Sequence, residues 1–156
     1  MKKLCTLILL MLLTACNDSL SDKTPAFQAL INGDTEWVPV DYSASVENDG
    51  LIIFGINQHG SISINISNPE IGEFDLYGIV NHSAIFQDDQ FQYSTENNFI
   101  GSIGFHREGK VIINEFNTEN NYISGYFYFD AFDFSGQNTI NISDGIFYRI
   151  PISSFN

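Results

Sequence analysis

The feature that most constrains the fold is a two-residue alternation of apolar and polar side chains that recurs along the chain. It is clearest in residues 61–67, where Ile62, Ile64 and Ile66 alternate with serines and an asparagine. Successive side chains of a strand point to opposite faces of a sheet, so the pattern predicts a strand with one buried side and one solvent side. We find no helical periodicity of useful length after residue 25. The sequence therefore predicts an all-β protein.

About ten short segments of this kind follow one another, with turn signals roughly every eight to twelve residues. The turn signals include Asn32-Gly33, residues 47–50 and Asp144-Gly145, and residues 100–105 read as one of the strands. Residues 51–56 form an unbroken apolar run, which predicts a strand covered on both faces. Many short strands joined by close turns predict a single antiparallel β-sandwich or barrel-like domain.

The N-terminus reads as a targeting segment. Lys2 and Lys3 precede an apolar run at residues 4–13, which is too short to span a bilayer and has the length of a signal-peptide core. The next residues, Leu13-Thr14-Ala15-Cys16, resemble a bacterial lipobox. This resemblance implies removal of residues 1–15, acylation of Cys16 with fatty acids such as palmitate, and anchoring without a membrane-spanning helix. Residues 16–25 then form a polar tether, and residues 26–156 form the domain.

Within the tether, Asp18-Ser19-Leu20 resembles the Asp-Ser/Thr-aliphatic O-glycosylation sequon of Bacteroidota, which makes Ser19 a candidate glycosylation site. The alternative is a solvated linker. Cys5 lies in the signal peptide and is lost with it, so the mature domain has no pair of thiols for a disulfide.

Two stretches of the domain resemble small Bacteroidota lipoproteins of unknown function. The opening runs Phe27-Gln28-Ala29-Leu30-Ile31-Asn32-Gly33, followed three residues later by Trp37. The tail contains Ile123-Ser124-Gly125-Tyr126-Phe127-Tyr128-Phe129. The resemblance implies a lipobox joined to an all-β domain in the cell envelope, with the outer membrane (periplasmic face or cell surface) as the expected location. Its motifs are turns and core positions, so it brings no catalytic residue.

Charge and motif searches narrow the functional classes. A net charge of −13 argues against binding to nucleic acid or to anionic lipid through charge. His59, His82 and His106 are isolated near turns, and neither a nucleophile elbow nor a phosphate-binding glycine loop occurs. We expect no bound cofactor. Ca²⁺ is the best metal candidate, at Asp88-Asp89 or at Asp130 and Asp133, although neither pair has the spacing of a dedicated loop.

One surface feature suggests a ligand. Tyr126, Tyr128 and Asp130 share a strand face opposite Phe127 and Phe129. Aromatic rings beside a carboxylate suit sugar stacking, so we predict a non-enzymatic binding or interaction module with glycan as the candidate ligand. Alternatives are a strand covered on both faces or an apolar ligand inside a barrel. A small extracytoplasmic hydrolase and a purely structural envelope component also remain open as functions.

Overall fold

The computed structural model describes residues 26–77, 81–97 and 107–154, and eleven strands make up the regular structure of these residues. The strands are β1 (Phe27–Ile31), β2 (Thr35–Trp37), β3 (Asp41–Glu47), β4 (Gly50–Asn57), β5 (Gly60–Ser67), β6 (Gly72–Asp75), β7 (Ser83–Gln87), β8 (Gln92–Ser94), β9 (Gly109–Asn117), β10 (Tyr122–Asp133) and β11 (Thr139–Ser154). The predicted strand at residues 100–105 lies outside the described residues.

Hydrogen bonds join all eleven strands into one sheet, which closes on itself because β10 pairs with both β8 and β11. Its two sides, or layers, face each other across the core, with β1 and β2 packed against β3 and β4. One layer has the strand order β2-β1-β11-β10-β9-β6, and the other has the order β3-β4-β5-β7-β8. The layers meet at two corners, where β10 pairs with β8 (Phe132 opposite Ser94) and β11 pairs with β3 (Ile152 opposite Ala44). The prediction of an all-β, sandwich or barrel-like domain is confirmed. The β3–β11 pair is parallel, whereas the other pairs are antiparallel.

The core lies between the two layers and contains many aromatic rings. Phe27 of β1 packs edge to face against Trp37 of β2, with ring centroids 5.2 Å apart. The Phe27 ring also meets Tyr42 of β3 at 6.5 Å and Phe127 of β10 at 5.7 Å, so it links both layers. Trp37 is fully buried, and its indole N–H donates a hydrogen bond of 3.1 Å to the carbonyl O of Gly60. Edge-to-face ring pairs stabilise a core beyond the area they bury.

Two of the predicted hairpin turns are present, and their central residues have positive φ angles. Asn32 and Gly33 both have positive φ, 52° and 81°, as a type I′ turn requires, and they connect β1 to β2. Asn48 and Asp49, at 47° and 64°, do the same between β3 and β4. The chain enters the domain beside β11, because the carbonyl O of Ala26 accepts a 2.7 Å hydrogen bond from the Tyr148 N–H.

Two local predictions are wrong. Asp144-Gly145 is not a turn between two strands, since β11 continues through it as a single 16-residue strand. The Asp-Gly pair signals a left-handed residue, which serves a bulge here rather than a hairpin. The apolar run in β4 is not covered on both faces either: its burial alternates, and Ile52 and Ile56 are exposed because none of the described residues packs over the outer side of the five-stranded layer there.

Candidate ligand-binding face

The twelve residues of β10 separate a buried aromatic row from an exposed one. Phe127 and Phe129 are 2% and 1% exposed, whereas Tyr126 and Tyr128 are 49% and 39% exposed. The period-two pattern causes this separation, because alternate side chains of a strand face opposite sides of its sheet. We call the solvent side of the six-stranded layer the tyrosine face, after Tyr122, Tyr126, Tyr128 and Tyr148. The sequence analysis did not single out Tyr122 or Tyr148.

Neighbouring strands place apolar and amide groups beside Tyr126. Strand register aligns Tyr126 with Ile146 of β11 on one side and with Ile112 of β9 on the other. The same row continues to Gln28 of β1 and to Glu73 of β6. Tyr126 is therefore the middle of a cross-strand row with an apolar centre and hydrogen-bonding ends.

The row through Tyr128 is more polar. Tyr128 lies opposite Lys110 of β9, which in turn lies opposite Asp75 of β6. The Lys110 ammonium is 2.7 Å from the Glu73 carboxylate and 3.9 Å from that of Asp75. The hydrogen bond to Glu73, followed by the charge of the same carboxylate, raises the pKa of Lys110. This cation is thus already neutralised by two acidic neighbours.

A groove with a volume of about 490 Å³ lies between the two exposed tyrosines and β11. Its wall on the β11 side consists of residues 143–146 together with Asn141. Among the lining residues that the structure describes, only Asp144 contributes a carboxylate. The groove therefore combines the two tyrosines with an acid, an amide and an aliphatic hydroxyl group from Asp144, Asn141 and Ser143.

Two bulges in β11 shape this surface. Between the pairs Phe127–Gly145 and Phe129–Ile142, three residue steps on β11 match two on β10. A second bulge of the same kind lies opposite Ser124. Each bulge contains a residue that is not glycine yet has a left-handed backbone: Asp144 at φ 49° and Arg149 at φ 49°. Bulges redirect side chains and are frequent near functional sites, and non-glycine residues seldom adopt this conformation.

Two glycines allow β10 and β11 to approach each other beneath the face. A Cβ atom on Gly145 would overlap the carbonyl O and the ring of Phe127. A Cβ on Gly125 would overlap the Phe147 ring and the carbonyl O of Ile112 on β9. Both positions therefore require glycine because of close packing.

The Arg149 end of the face is a network of stacked and hydrogen-bonded groups. The Arg149 guanidinium lies 5.2 Å from the ring centroid of Tyr122 and 5.5 Å from that of Tyr148. Buried Ser124 accepts a 3.0 Å hydrogen bond from the Arg149 N–H and donates a 3.1 Å bond to Glu115. The hydroxyl of Tyr122 donates a 2.6 Å bond to the same carboxylate, and this bond raises the pKa of the tyrosine.

The third predicted glycan contact, Asp130, lies at the opposite end of the face from Arg149. Its Oδ1 accepts a 2.9 Å bond from the Asn141 side chain, and its Oδ2 accepts a 3.3 Å bond from the Glu108 N–H. The hydroxyl of Tyr77 donates to the carbonyl O of the same residue. The structure thus places all three predicted residues on one face, with Asp130 held in position by its neighbours.

The calcium candidates make hydrogen bonds within their own turns. Asp88 accepts bonds from the N–H groups of Gln90 and Phe91 at 2.8 and 2.7 Å. Asp133 is buried, and hydrogen bonds, led by the one from Ser135, lower its pKa to about 2. Within the described ranges, no three His, Cys, Asp or Glu side chains cluster in a way that could hold a metal ion.

The described histidines occupy loop positions. His59 is exposed in the β4–β5 turn. The Nδ1 atom of His82 accepts a 3.2 Å hydrogen bond from the Ser67 N–H, and its ring packs edge to face against Phe74. His82 therefore helps to join the chain before β7 to the end of β5.

Several predicted features fall outside the described residues. They are the signal peptide, the tether, Cys16, Ser19 and His106. In the part of the chain that the structure does cover, there is no helix with the length and hydropathy needed to cross a bilayer.

Fold and face together define a small all-β domain with a closed core and one exposed aromatic face. The chain belongs to a family of domains of unknown function, DUF6252, whose model matches residues 23–151. No curated protein and no solved structure gives a significant match.

Proposed function

We propose that this chain is a lipid-anchored, non-enzymatic protein of the cell envelope that binds glycans through the tyrosine face. The observation that carries the proposal is the exposed pair Tyr126 and Tyr128 along one wall of the groove, with Asn141, Ser143 and Asp144 opposite. Nearly half of the Tyr126 side chain is open to solvent although its strand lies in the interior of a six-stranded layer.

The chemistry of these groups suits sugars. A pyranose ring has an apolar C–H face that stacks on an aromatic ring, and hydroxyl groups around its edge that need donors and acceptors. The tyrosine rings offer the stacking surface. Asn141, Ser143 and Asp144 offer amide, hydroxyl and carboxylate partners within the same groove. Such a site needs few polar groups to orient a ligand.

The groove favours binding over hydrolysis. Glycoside hydrolysis commonly uses two carboxyl groups on either side of the scissile bond. Of the described residues that line the groove, Asp144 alone carries a carboxylate, and Asp130 is hydrogen-bonded to Asn141 and to the backbone of Glu108. The hydrolase alternative therefore has less support than a binding function.

The anchor is supported by the N-terminal sequence and by where the family match starts. The lipobox-like residues end at Cys16, and the family match begins at residue 23, after it. The resemblance to small Bacteroidota lipoproteins supports the same arrangement and an outer-membrane location. Each buried CH₂ of an acyl chain contributes about 0.8 kcal/mol, so two or more chains on Cys16 hold a protein stably at a membrane.

Membrane fractionation tests the anchor. We expect the wild-type chain to fractionate with membranes and to lose residues 1–15. The variant Cys16→Ser removes the acceptor thiol and should leave an unprocessed chain without acyl groups. Cys5→Ser, in the predicted signal peptide, is the matched control and should behave like the wild type. Normal processing and membrane association of Cys16→Ser would rule out the anchor.

A glycan array tests the binding function. The full-length chain, purified in detergent, should bind a subset of neutral glycans, and Tyr126→Ala with Tyr128→Ala should abolish the signal. Phe134→Ala is the matched control, because Phe134 is 95% exposed and lies outside the groove. An array without signal, or equal binding by the double variant, would contradict the proposal.

A further inference from the structure

The tyrosine face is long, and its two ends differ in chemistry. We infer that it binds a linear, uncharged sugar chain laid along β10, with one subsite at each β11 bulge. This inference rests on the proposed glycan-binding function and specifies its ligand class. It assigns Arg149, Tyr122 and Tyr148 to a second subsite beyond the groove.

The length of the face argues for a chain rather than a single sugar. From Tyr122 to Asp130 there are eight residue steps on β10. At 3.2–3.4 Å per step, the face is about 27 Å long. A monosaccharide covers only a fraction of that length, whereas an oligosaccharide of several units spans it.

The two bulges make the subsites distinct. Asp144 stands in the bulge opposite Tyr128, and Arg149 stands in the bulge opposite Ser124, from which its guanidinium reaches the Tyr122 ring. A left-handed backbone costs free energy at a residue with a Cβ, and such conformations cluster at binding sites. Arg149 is the less expected of the two residues, because Asp tolerates this conformation better than most side chains.

The Arg149 subsite is preorganised. Its guanidinium contacts the rings of both Tyr122 and Tyr148, and its backbone N–H is held by Ser124. The Tyr122 ring is fixed in turn by its 2.6 Å hydrogen bond to Glu115. An arginine held in this way presents several N–H donors to sugar hydroxyl groups with little loss of side-chain entropy on binding.

The charges around the face argue for an uncharged ligand. Glu73, Asp75, Asp130 and Asp144 lie along it, and Lys110 is paired with the first two. A uronate or sulfated chain would bring further negative charge toward these carboxylates, and like charges repel. Neutral hydroxyl groups meet acceptors at the acidic end and donors at the Arg149 end.

Chain length is the variable that tests the inference. Neutral oligosaccharides from disaccharide to hexasaccharide, in the β-1,4-glucan, β-1,3-glucan and β-1,4-mannan series, would be titrated into the full-length chain in detergent by calorimetry. For the series that binds, we expect the hexasaccharide to bind about tenfold more tightly than the disaccharide, which corresponds to about 1.4 kcal/mol of binding free energy. Oligogalacturonates of equal length should bind at least about tenfold more weakly than the neutral chain.

Arg149→Gly separates binding from folding. Glycine adopts a positive φ freely, so this variant removes the side chain without disturbing the bulge. We expect this variant to lose most of the additional affinity for the longer oligosaccharides, while its affinity for the disaccharide stays nearly unchanged. Asn48→Gly is the matched control, since it makes the same backbone change at φ 47° in the distant β3–β4 turn.

The outcomes distinguish this inference from the function on which it rests. Glycan binding that does not depend on chain length, or equal loss of short and long ligands in Arg149→Gly, overturns the inference and leaves glycan binding intact. Stronger binding of the oligogalacturonates also overturns it. The absence of detectable binding to every oligosaccharide contradicts the proposed glycan-binding function itself.

Discussion

The outer faces of the two layers differ in both regularity and composition. On the five-stranded layer, the registers of β3 with β4 and of β4 with β5 run without a shift. Its outward positions on β5 are Ser61, Ser63, Asn65 and Ser67. On the six-stranded layer, β11 is bulged twice against β10, and the outward positions include four tyrosines.

The difference separates two uses of the same fold. On the regular face the backbone groups pair between neighbouring strands, and the outward side chains are short and polar on β5 but include the exposed Ile52 and Ile56 on β4. The bulged face has left-handed backbone at Asp144 and Arg149 within a strand, and it exposes large rings. A surface that carries both conformational cost and exposed aromatic area is the one expected to bind a partner.

The largest predicted effect is on the packing beneath the bulged face. Gly125→Ala should destabilise the protein by about 3 kcal/mol, because the new methyl group overlaps Phe147 and the backbone of Ile112. Urea denaturation measures the change. Gly72→Ala, in β6 of the same layer, has open space around it and should leave the midpoint nearly unchanged. Similar midpoints for both variants would show that close packing of β9, β10 and β11 is not required.

Substitution of one serine on each face compares the two faces directly. Ser124 is 4% exposed and joins Arg149 to Glu115 by hydrogen bonds. Ser124→Ala leaves the Arg149 N–H without this acceptor and should cost about 1–3 kcal/mol. Ser63→Ala on the regular face should change the free energy of unfolding by less than about 0.5 kcal/mol. Equal changes in the same denaturation assay would remove the distinction between the faces.

The corner between the layers provides a pH-dependent test. Asp133 lies opposite Tyr93 where β10 meets β8, and hydrogen bonds from Ser135 and Asn138 lower its pKa. A lowered pKa means that the carboxylate stabilises the folded state above its ordinary pKa and loses this effect as pH falls through the folded value. Asp133→Asn should therefore lower the melting temperature by a few degrees at pH 7.

The pH dependence of that difference has a defined window. It should shrink as the pH falls from 3.8, the ordinary pKa, to about 2. Asp89→Asn, at an exposed turn carboxylate, is the control. A difference between wild type and Asp133→Asn that is constant over the whole range would contradict the assigned hydrogen bonds. Differential scanning fluorimetry at each pH provides the measurement.

The smallest effect is expected on the regular face. Ile56 is 40% exposed on β4, and Ile56→Thr should change stability by less than about 0.5 kcal/mol. It should also leave glycan affinity unchanged, because this side chain lies on the opposite layer from the groove. Loss of binding in Ile56→Thr would mean that the ligand uses the regular face.

Sequence patterns predict the layers better than they predict the site. Period-two alternation is local, so the strand class, the inward Phe127 and Phe129, and the outward Tyr126 and Tyr128 follow from it directly. The turns at Asn32-Gly33 and residues 47–50 follow from residues that tolerate positive φ. These signals depend only on neighbours along the chain.

The parts that sequence could not supply depend on pairing between distant strands. Tyr148 and Arg149 join the face only because β11 is bulged opposite Ser124, and a bulge is a property of register between two strands. The Asp144-Gly145 dipeptide fits a turn and a bulge equally well, so the sequence signal was present but ambiguous. The exposed side of β4 was missed because a continuous apolar run does not show which face lacks a covering layer.

The hydrogen bond between Ala26 and Tyr148 limits how far the tyrosine face can lie from a membrane to which Cys16 is anchored. It fixes the point at which the chain leaves the domain beside the Arg149 end of the tyrosine face. Ten residue steps separate this point from Cys16, and even a fully stretched chain of that length reaches only about 36 Å. With Cys16 acylated as proposed, the Arg149 end of the face stays within about this distance of the lipid surface. A ligand of that end must then come within this distance of the lipid surface.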